Sequence, residues 1–405
     1  MEPDMHAEPF RPDYQTHLTS LPGTPYLIDG DEYSVKLLQR ESDWPIYEKI
    51  WDSLVKQSAN HNLFQSYDFL SHWWQHFGHD KELYILFVCK GDKIIGFASF
   101  NILKRKIRGL TFNEIGFIGS PLEVDRPGIV MAQDEASGIK SIVHYLSDNR
   151  QTWDLIQIFE QEKNDALDIM RQAFRDSGLL LGNKESSQCY YLDCSEPWDK
   201  FIASKSRKFR RNLRAAQRKL ESQGDLQYHV YRQWPEIEKQ LLTYRDIERR
   251  SRKESEGVGI ARTPQSLAYY YSLAETFGQK DSFCMRVLTL DKEPIVATFG
   301  IYFDNVFYSL QITHDMAYNN ASPGTYLESV ELEECFAEEG CSAYDFLGSF
   351  VNNKSRWSST FLLTDSMHVY QRSSILTLVY AAHFIIGPRI TPLLKWIKSR
   401  LIIKT

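Results

Sequence analysis

A chain of 405 residues that is 42% hydrophobic and 13% aromatic is too long for one compact core and predicts two globular domains, not a disordered polymer. Its formal net charge of −6 excludes a general polyanion binder and confines any basic function to a local patch. The cysteines (Cys89, Cys189, Cys194, Cys284, Cys335, Cys341) are scattered without a Cys-x-x-Cys pair, so no metal site or disulfide framework is expected, and buried thiols in a reducing compartment are.

The first residues, Met-Glu-Pro-Asp-Met-His-Ala-Glu, are acidic and lack the apolar core of a signal peptide. Residues 1–30 predict a flexible segment. Residues 61–77 form an aromatic-rich helical pattern, and Leu83–Val88 and Lys93–Leu103 predict strands joined by a Gly91-Asp92 turn. Glu114–Ser120 ends in a Gly-Ser-Pro turn. Helix is predicted over Ala136–Tyr145, strand over Asp154–Phe159, and helix again over Ala166–Ser177. From Asp193 to Gly348 the same succession returns, with Ser282–Leu290 and Ile295–Phe303 as the matching hairpin around Asp291. Two copies of one α/β unit predict a tandem fold, bounded at 31–192 and 193–372, with an amphipathic tail at 373–405.

The second copy carries the chemistry. A second β-rich segment, Val306–Thr313, is followed by a polar loop and then by Ser322-Pro323-Gly324-Thr325, which opens a helix. Such a start presents free N–H groups and a positive dipole end to an anion. A short strand, Tyr344-Asp345-Phe346-Leu347-Gly348, and the run Asn353-Lys354-Ser355-Arg356-Trp357 complete the segment. In the first copy the equivalent loop holds Pro121 and Pro127-Gly128 without a comparable opening, which assigns the anion-accepting start to the second.

This order and these residues resemble the GNAT superfamily of N-acyltransferases. More narrowly they resemble its CelD-like (cellulose-biosynthesis-protein-like) branch, related to the Fem-type aminoacyl transferases. In that branch a Ser-Pro-Gly opens the central helix, a Tyr-Asp-Phe-x-x-Gly strand follows, and a Lys with a Trp three residues later closes the motif. Upstream, Ser206-Arg-Lys-Phe-Arg-Arg-Asn-Leu-Arg and Glu248-Arg-Arg-Ser-Arg-Lys253 are similar to further family segments, although Arg252 stands where the family pattern has Trp. The resemblance covers residues 195–360. It implies tandem GNAT-like domains, each a mixed, mostly antiparallel sheet flanked by helices, and a role for Lys354 beside the transferred group.

Several side chains become candidates. Lys354 could stabilise an oxyanion or hold a donor phosphate. Asp345 has equal claims as a catalytic group and as a cap for neighbouring amides. His314, at a strand end, has the intrinsic pKa of a base. Tyr308 and Tyr318 could protonate a departing thiolate, Glu248 and Lys253 could bind the acceptor, and Trp357 could stack on ligand, although packing suits it better. On a helix over residues 205–220, Phe209, Leu213, Ala216 and Leu220 share one side, and Arg207, Arg211, Arg214 and Arg218 the other. That row is either a solvated face or a dock for an anionic partner.

Two features weigh on the donor. The loop 316–324 has no Lys or Arg, and the helix after it is strongly acidic (Glu328, Glu331, Glu333, Glu334, Glu338, Glu339). Both disfavour free CoA and leave room for an acyl carrier protein or aminoacyl-tRNA. In the tail, Leu393, Leu394, Ile397 and Leu401 share a side ringed by Lys395, Lys398 and Arg400. That pattern suits either packing or an anionic membrane surface.

The resulting expectation is a cytoplasmic acyltransferase that could sit peripherally on the inner face of the membrane. It would use acyl-CoA or acyl carrier protein as co-substrate and a small or lipid-linked amine, such as an amino sugar or amino acid in envelope or exopolysaccharide assembly, as acceptor. Nucleic acid is not expected as a partner. A Fem-like aminoacyl-tRNA-dependent enzyme and a non-catalytic scaffold for a polysaccharide synthase are the alternatives.

Overall fold

A computed structural model describes residues 14–390 except 60, 122, 349 and 350, and of 351 and 352 the backbone only. The chain forms two compact units, and neither is a continuous segment. Unit 1 takes residues 1–67, 80–186 and 364–405, and unit 2 takes 68–79 and 187–363. The contiguous boundaries expected from sequence therefore give way to units completed by distant pieces of chain.

In unit 1 the strands are β1 (Gly23–Ile28), β2 (Asp31–Leu38), β3 (Lys81–Lys90), β4 (Lys93–Ile107), β5 (Leu110–Phe117), β6 (Val130–Met131), β7 (Leu155–Glu162) and, from near the C-terminus, β14 (Phe361–Tyr370). Their order is β1-β2-β3-β4-β5-β7-β14, with β6 beside β4. Its helices are α1 (Tyr14–Ser20), α2 (Glu48–Gln57), α4 (Glu135–Asp148), α5 (Asp165–Asp176) and α13 (Ser374–Tyr380). Strand alternation sorts its two cores. Ala98, Phe100 and Ile102 of β4 belong to one core with Ile142 and Met170 of α4 and α5. Phe97, on the opposite face, stacks at 3.7 Å on Trp51 of α2.

The expected flexibility of residues 1–30 is corrected over its described part. Tyr14–Ser20 are helical, and β1 pairs with β2 across Ile28↔Asp31. Asp29 and Gly30 make that turn with φ of 53° and 93°, an Asp-Gly hairpin signal that the Pro- and Thr-rich composition obscured.

In unit 2 the strands are β8 (Leu180–Asp193, whose final residues belong here), β9 (Leu226–Tyr231), β10 (Phe283–Leu290), β11 (Glu293–Phe303), β12 (Val306–His314) and β13 (Ala343–Asp345). Their order is β8-β13-β12-β11-β10-β9. The helices are α3 (Tyr67–Phe77), α6 (Trp198–Ser204), α7 (Arg207–Glu221), α8 (Trp234–Glu248), α9 (Arg252–Glu256), α10 (Pro264–Gln279), α11 (Pro323–Ala337) and α12 (Val351–Trp357). Tyr244 of α8 and Tyr270 of α10 pack on Phe299 of β11, whereas Leu220 of α7 and Leu327 of α11 share a core with Leu288 and Val296.

The two units repeat one plan. An antiparallel meander (β3-β4-β5 or β10-β11-β12) leads through a crossover helix (α4 or α11) to a parallel strand (β7 or β13). Both crossover helices open on a left-handed residue, Asp134 (φ 52°) and Ser322 (φ 54°). In unit 1 that residue is a carboxylate, bonded to Lys90 at 2.8 Å and to Tyr33 at 3.1 Å, and Glu135 comes next. Negative charge therefore fills the position where unit 2 is neutral.

A bulge in β12 turns over the second half of that strand. Phe299 pairs with Gln311 and Gly300 with Ser309, so Leu310 has no partner residue on β11. The extra residue reverses the alternation of side chains. Phe307 packs with Tyr344 and Leu332 on the α11 side, but beyond the bulge Ile312 and His314 take that side, and Gln311 turns toward α8 and α10. Gly300 admits the bulge, because a Cβ there would lie 2.3 Å from the Tyr308 carbonyl oxygen and 2.5 Å from the Phe307 ring. Gly300→Ala is expected to cost about 2 kcal/mol through overpacking, read as a lower urea midpoint at unchanged slope.

Candidate active site

The start of α11 carries uncommitted donors. Ser322 makes no side-chain cap, and Pro323 has no N–H. The Tyr326 amide donates to the Ser322 carbonyl at 3.2 Å, while the amides of Gly324 and Thr325 meet no acceptor among the described residues. A Cβ on Gly324 would lie 3.7 Å from both His314 Nδ1 and Ile312 Cδ1, which sets the helix start beside the end of β12. His314 Nε2 is 3.3 Å from Asn319 Oδ1. The loop itself lacks a cation, as the sequence shows, but α7 supplies one: Lys219 Nζ donates to the Asn320 carbonyl at 2.6 Å. Arg250 donates to Asp315, the residue just before that loop, at 2.6 Å.

Beside this turn the sheet opens. The β12–β13 ladder consists of Val306↔Ala343, Phe307↔Tyr344 and Tyr308↔Asp345 and ends there, although β12 runs on to His314. Past Tyr308 the strand becomes partly exposed at Ser309, Leu310 and Gln311. Asp345 and Tyr308 are both buried. Asp345 Oδ1 accepts from the Leu347 amide at 2.8 Å, capping the turn in which Leu347 adopts φ 57°. Lys354 lies on α12, not in a loop, and its ammonium donates to the Leu347 carbonyl at 2.7 Å and to the Gly348 carbonyl. Asp345 and Lys354 together brace the turn that ends β13.

The acidic helix behaves differently from its sequence expectation. Glu331 is buried against Arg286, itself fully buried, at 3.3 Å. Arg286 also binds Glu334 at 2.7 Å and the Tyr302 hydroxyl at 3.2 Å. Glu328 accepts from Trp357 Nε1 at 2.5 Å, and Glu338 pairs with Arg232 at 2.6 Å. Much of the helix's negative charge is thus spent within the unit, and the repulsion expected along the flank of α11 is corrected accordingly. Burial pushes the carboxyls of Glu328 and Glu331 up to about 7, against the opposing pull of the Trp357 bond on Glu328 and of Arg286 on Glu331. Lys354 and Arg356 also pull Glu328 down, and its neighbour Glu331 raises it.

A second polar cluster lies on the α8 and α10 side. Lys253 Nζ donates to Gln311 Oε1 at 2.6 Å and to the Tyr244 hydroxyl at 3.1 Å, and Gln311 Nε2 donates to the Tyr270 hydroxyl at 3.0 Å. Lys253 thereby connects α9 to the open reach of β12. Glu248 is buried, accepts from the amides of Ile260 and Ala261 at 3.2 and 3.0 Å, and stands 3.9 Å from Lys253. It braces the 259–261 loop, so its expected contact with an acceptor is corrected to a supporting position.

Arg207, Arg211 and Arg214 are exposed on α7, opposite the packed Phe209, Leu213, Ala216 and Leu220. Trp357 is buried and meets Phe209 edge-on at 4.9 Å. It packs, and its ring is not available for ligand stacking. Sequence reasoning missed Lys219, Glu328, Arg286, Gln311 and Tyr270. The bulge hides the facing of Gln311, and only the three-residue spacing of Glu328, Glu331 and Glu334 hinted at a shared inward side.

The raised carboxyls set a pH dependence. A group that binds its proton more tightly folded than unfolded contributes stability that is full below its unfolded value of 4.5 and is lost as pH rises through its folded value, here about 7. Glu328→Gln removes that loss. The melting temperature of the variant, relative to the unmodified protein, is expected to rise between about pH 5 and pH 8, followed by calorimetry.

Comparisons with known proteins bear on the fold that carries this site. A family model described as an acetyltransferase (GNAT) domain matches residues 207–355. The crystal structure of FemX aligns over 82% of this chain and 98% of its own at 14% identity, with a TM-score of 0.56. A conserved protein of unknown function from Bacteroides thetaiotaomicron aligns over 83% of this chain and 100% of its own at 11% identity, with a TM-score of 0.55. A search of curated proteins finds no match. The chain has the mixed α/β fold of the GNAT superfamily, with its sheet-and-helix unit repeated, and residues 207–355 match the superfamily's acetyltransferase domain.

Proposed function

We propose that unit 2 is an N-acyltransferase that moves an acyl group from a thioester donor, acyl-CoA or acyl carrier protein, to an amine. The observation that carries this reading is the coincidence of two features: β12 parts from β13 after Tyr308–Asp345, and α11 begins beside its free end with the Gly324 and Thr325 amides unspent. N–H groups and an ammonium form a donor set suited to phosphate oxygens. A phosphate of the donor would rest on Gly324, Thr325 and Lys219, with Ser322 and Pro323 shaping the turn.

The donor's thioester arm then runs along the open side of β12. The acceptor approaches from the Lys253, Gln311 and Tyr270 side, with Tyr308 at the base of the opening. Attack by the amine nitrogen on the acyl carbon forms the C–N bond and breaks the C–S bond. The proton lost by the amine ends on the departing thiolate, by way of water or His314. Lys354 and Asp345 act by holding the turn at the end of β13, which keeps the strands apart. An acceptor that presents an anionic group near its amine, such as an amino acid or a phosphate-bearing amino sugar of envelope assembly, suits the Lys253 cation.

One observation favours a second reading. Arg207, Arg211 and Arg214 are exposed on the helix that also supplies Lys219, so a donor carried on an acidic protein or an RNA would have a surface to meet. Replacing all three by Glu is expected to spare binding of free CoA and to abolish binding of a carried donor.

Titration calorimetry with CoA tests the main reading. Lys219→Met is expected to weaken binding about fivefold, the equivalent of about 1 kcal/mol for a cation at a helix start, while Lys208→Met on the same helix leaves it unchanged. Equal loss in both variants, or heat of binding that is insensitive to both, would overturn the assignment of α11 as the donor site.

A further inference from the structure

Two stretches of unit 1 lack acidic residues altogether. Ile102–Phe112 holds Lys104, Arg105, Lys106 and Arg108 with no Asp or Glu, and residues 371–405 hold Arg372, Arg389, Lys395, Lys398, Arg400 and Lys404 with none. Such segregation runs against the chain's net charge of −6. The fold brings the two together: the β4–β5 hairpin tip (Ile107, Arg108, Leu110, Phe112) and the helix that begins as α13 (Ile375, Leu378, Val379, Ala382, His383) line one shallow apolar cavity.

Leu376 is buried in a core with Phe112, Leu155 and Tyr370, which fixes the helix by one side. Its other side is bare. Leu378 is 70% exposed, and Ile375, Ile385, Ile386, Ile390 and the hairpin's Leu110 are 42–50% exposed. These are six of the fourteen large apolar side chains that are exposed among the described residues, gathered on one hairpin tip and one helix. Spacings of three, eight and four residues (Ile375, Leu378, Ile386, Ile390) make a stripe along the helix. Cations border it. Arg105 leans toward Glu114 at 3.7 Å and Lys104 toward Asn113 at 2.7 Å, whereas Lys106, Arg108 and Arg389 are exposed and form no ion pair among the described residues.

The geometry points to a docking surface for an anionic phospholipid bilayer, with Leu110, Ile375, Leu378 and Ile386 entering the headgroup–acyl boundary and Lys106, Arg108 and Arg389 meeting lipid phosphates. Apolar side chains set among cations, on two stretches of chain that carry no carboxylate, are the complement of such a surface. No helix of the described residues is long and apolar enough to cross a membrane, so contact is lateral and reversible. The basic tail expected to touch a membrane, residues 391–405, lies outside the described residues; the docking surface is formed without it. This inference concerns unit 1 and stands apart from the acyl-transfer reading of unit 2.

Co-sedimentation of the full chain with vesicles tests it. Binding is expected to vesicles of phosphatidylcholine containing one-third phosphatidylglycerol, to weaken with salt, and to be much weaker with phosphatidylcholine alone. At about 1 kcal/mol per basic residue near the surface, the pair Lys106→Glu and Arg108→Glu should lower partitioning by at least about tenfold. Leu378→Glu, at a position too exposed to disturb folding, should do the same, with circular dichroism unchanged in both. Failure to bind the anionic vesicles, equal binding to neutral ones, or undiminished binding by both variants would overturn the proposal. So would a stable dimer that Leu378→Glu dissociates, since a second copy would then cover the face.

Discussion

Everything at the candidate site depends on the way β12 loses its neighbour. Three residue pairs join it to β13, and beyond Tyr308 its pairing among the described residues is with β11 alone, out to His314. A strand whose backbone groups have no partner on one side must find them elsewhere or stay open. The bulge at Leu310 switches which side chains face which layer. As a result His314 stands beside the helix start, Gln311 meets Lys253, and the opening between the strands is bounded by polar groups on both sides. The same meander and crossover exist in unit 1, but Asp134 and Glu135 sit at that helix start, so equal backbones carry opposite electrostatics.

Buried charge holds the frame of that opening. Arg286 lies wholly inside unit 2 and contacts Glu331, Glu334, Tyr302 and the face of Phe307. Removing one member of such a buried set strands the others without a partner. α11 is therefore tied to β10 and β11 by directional bonds as well as by packing, and its first turn is held in place relative to β12. Trp357 and Lys354 extend the same logic, one bonded to Glu328 and the other to the turn ending β13. Lys354 and Trp357, the first and last residues of the Lys-Ser-Arg-Trp run, both serve this support.

Much of this was legible in the sequence. The period of the hairpins, the Ser-Pro-Gly helix start and the amphipathic α7 are local patterns, and each sits where local propensity puts it. What was hidden depends on tertiary arrangement. Leu310 looks like any strand residue, so the change of face beyond it has no local signature. Lys219 has no local signature either, because its proximity to Asn320 comes from the packing of α7 on α11. The glutamates of α11 read as charge that disfavours free CoA along the helix, yet Arg286, buried in a strand 45 residues before Glu331, draws that residue and Glu334 to itself. Strand β14 and the pairing of β1 with β2 were missed where Pro, Thr and Ser composition masked alternation.

A crystal structure of the protein with CoA is the most direct measurement of the central claim. Phosphate oxygens are predicted within hydrogen-bond distance of the Gly324 and Thr325 amides, with the thiol arm lying along β12 past Tyr308. A ligand seated away from the first turn of α11, or β12 and β13 closed into a continuous ladder beyond Asp345, would contradict it.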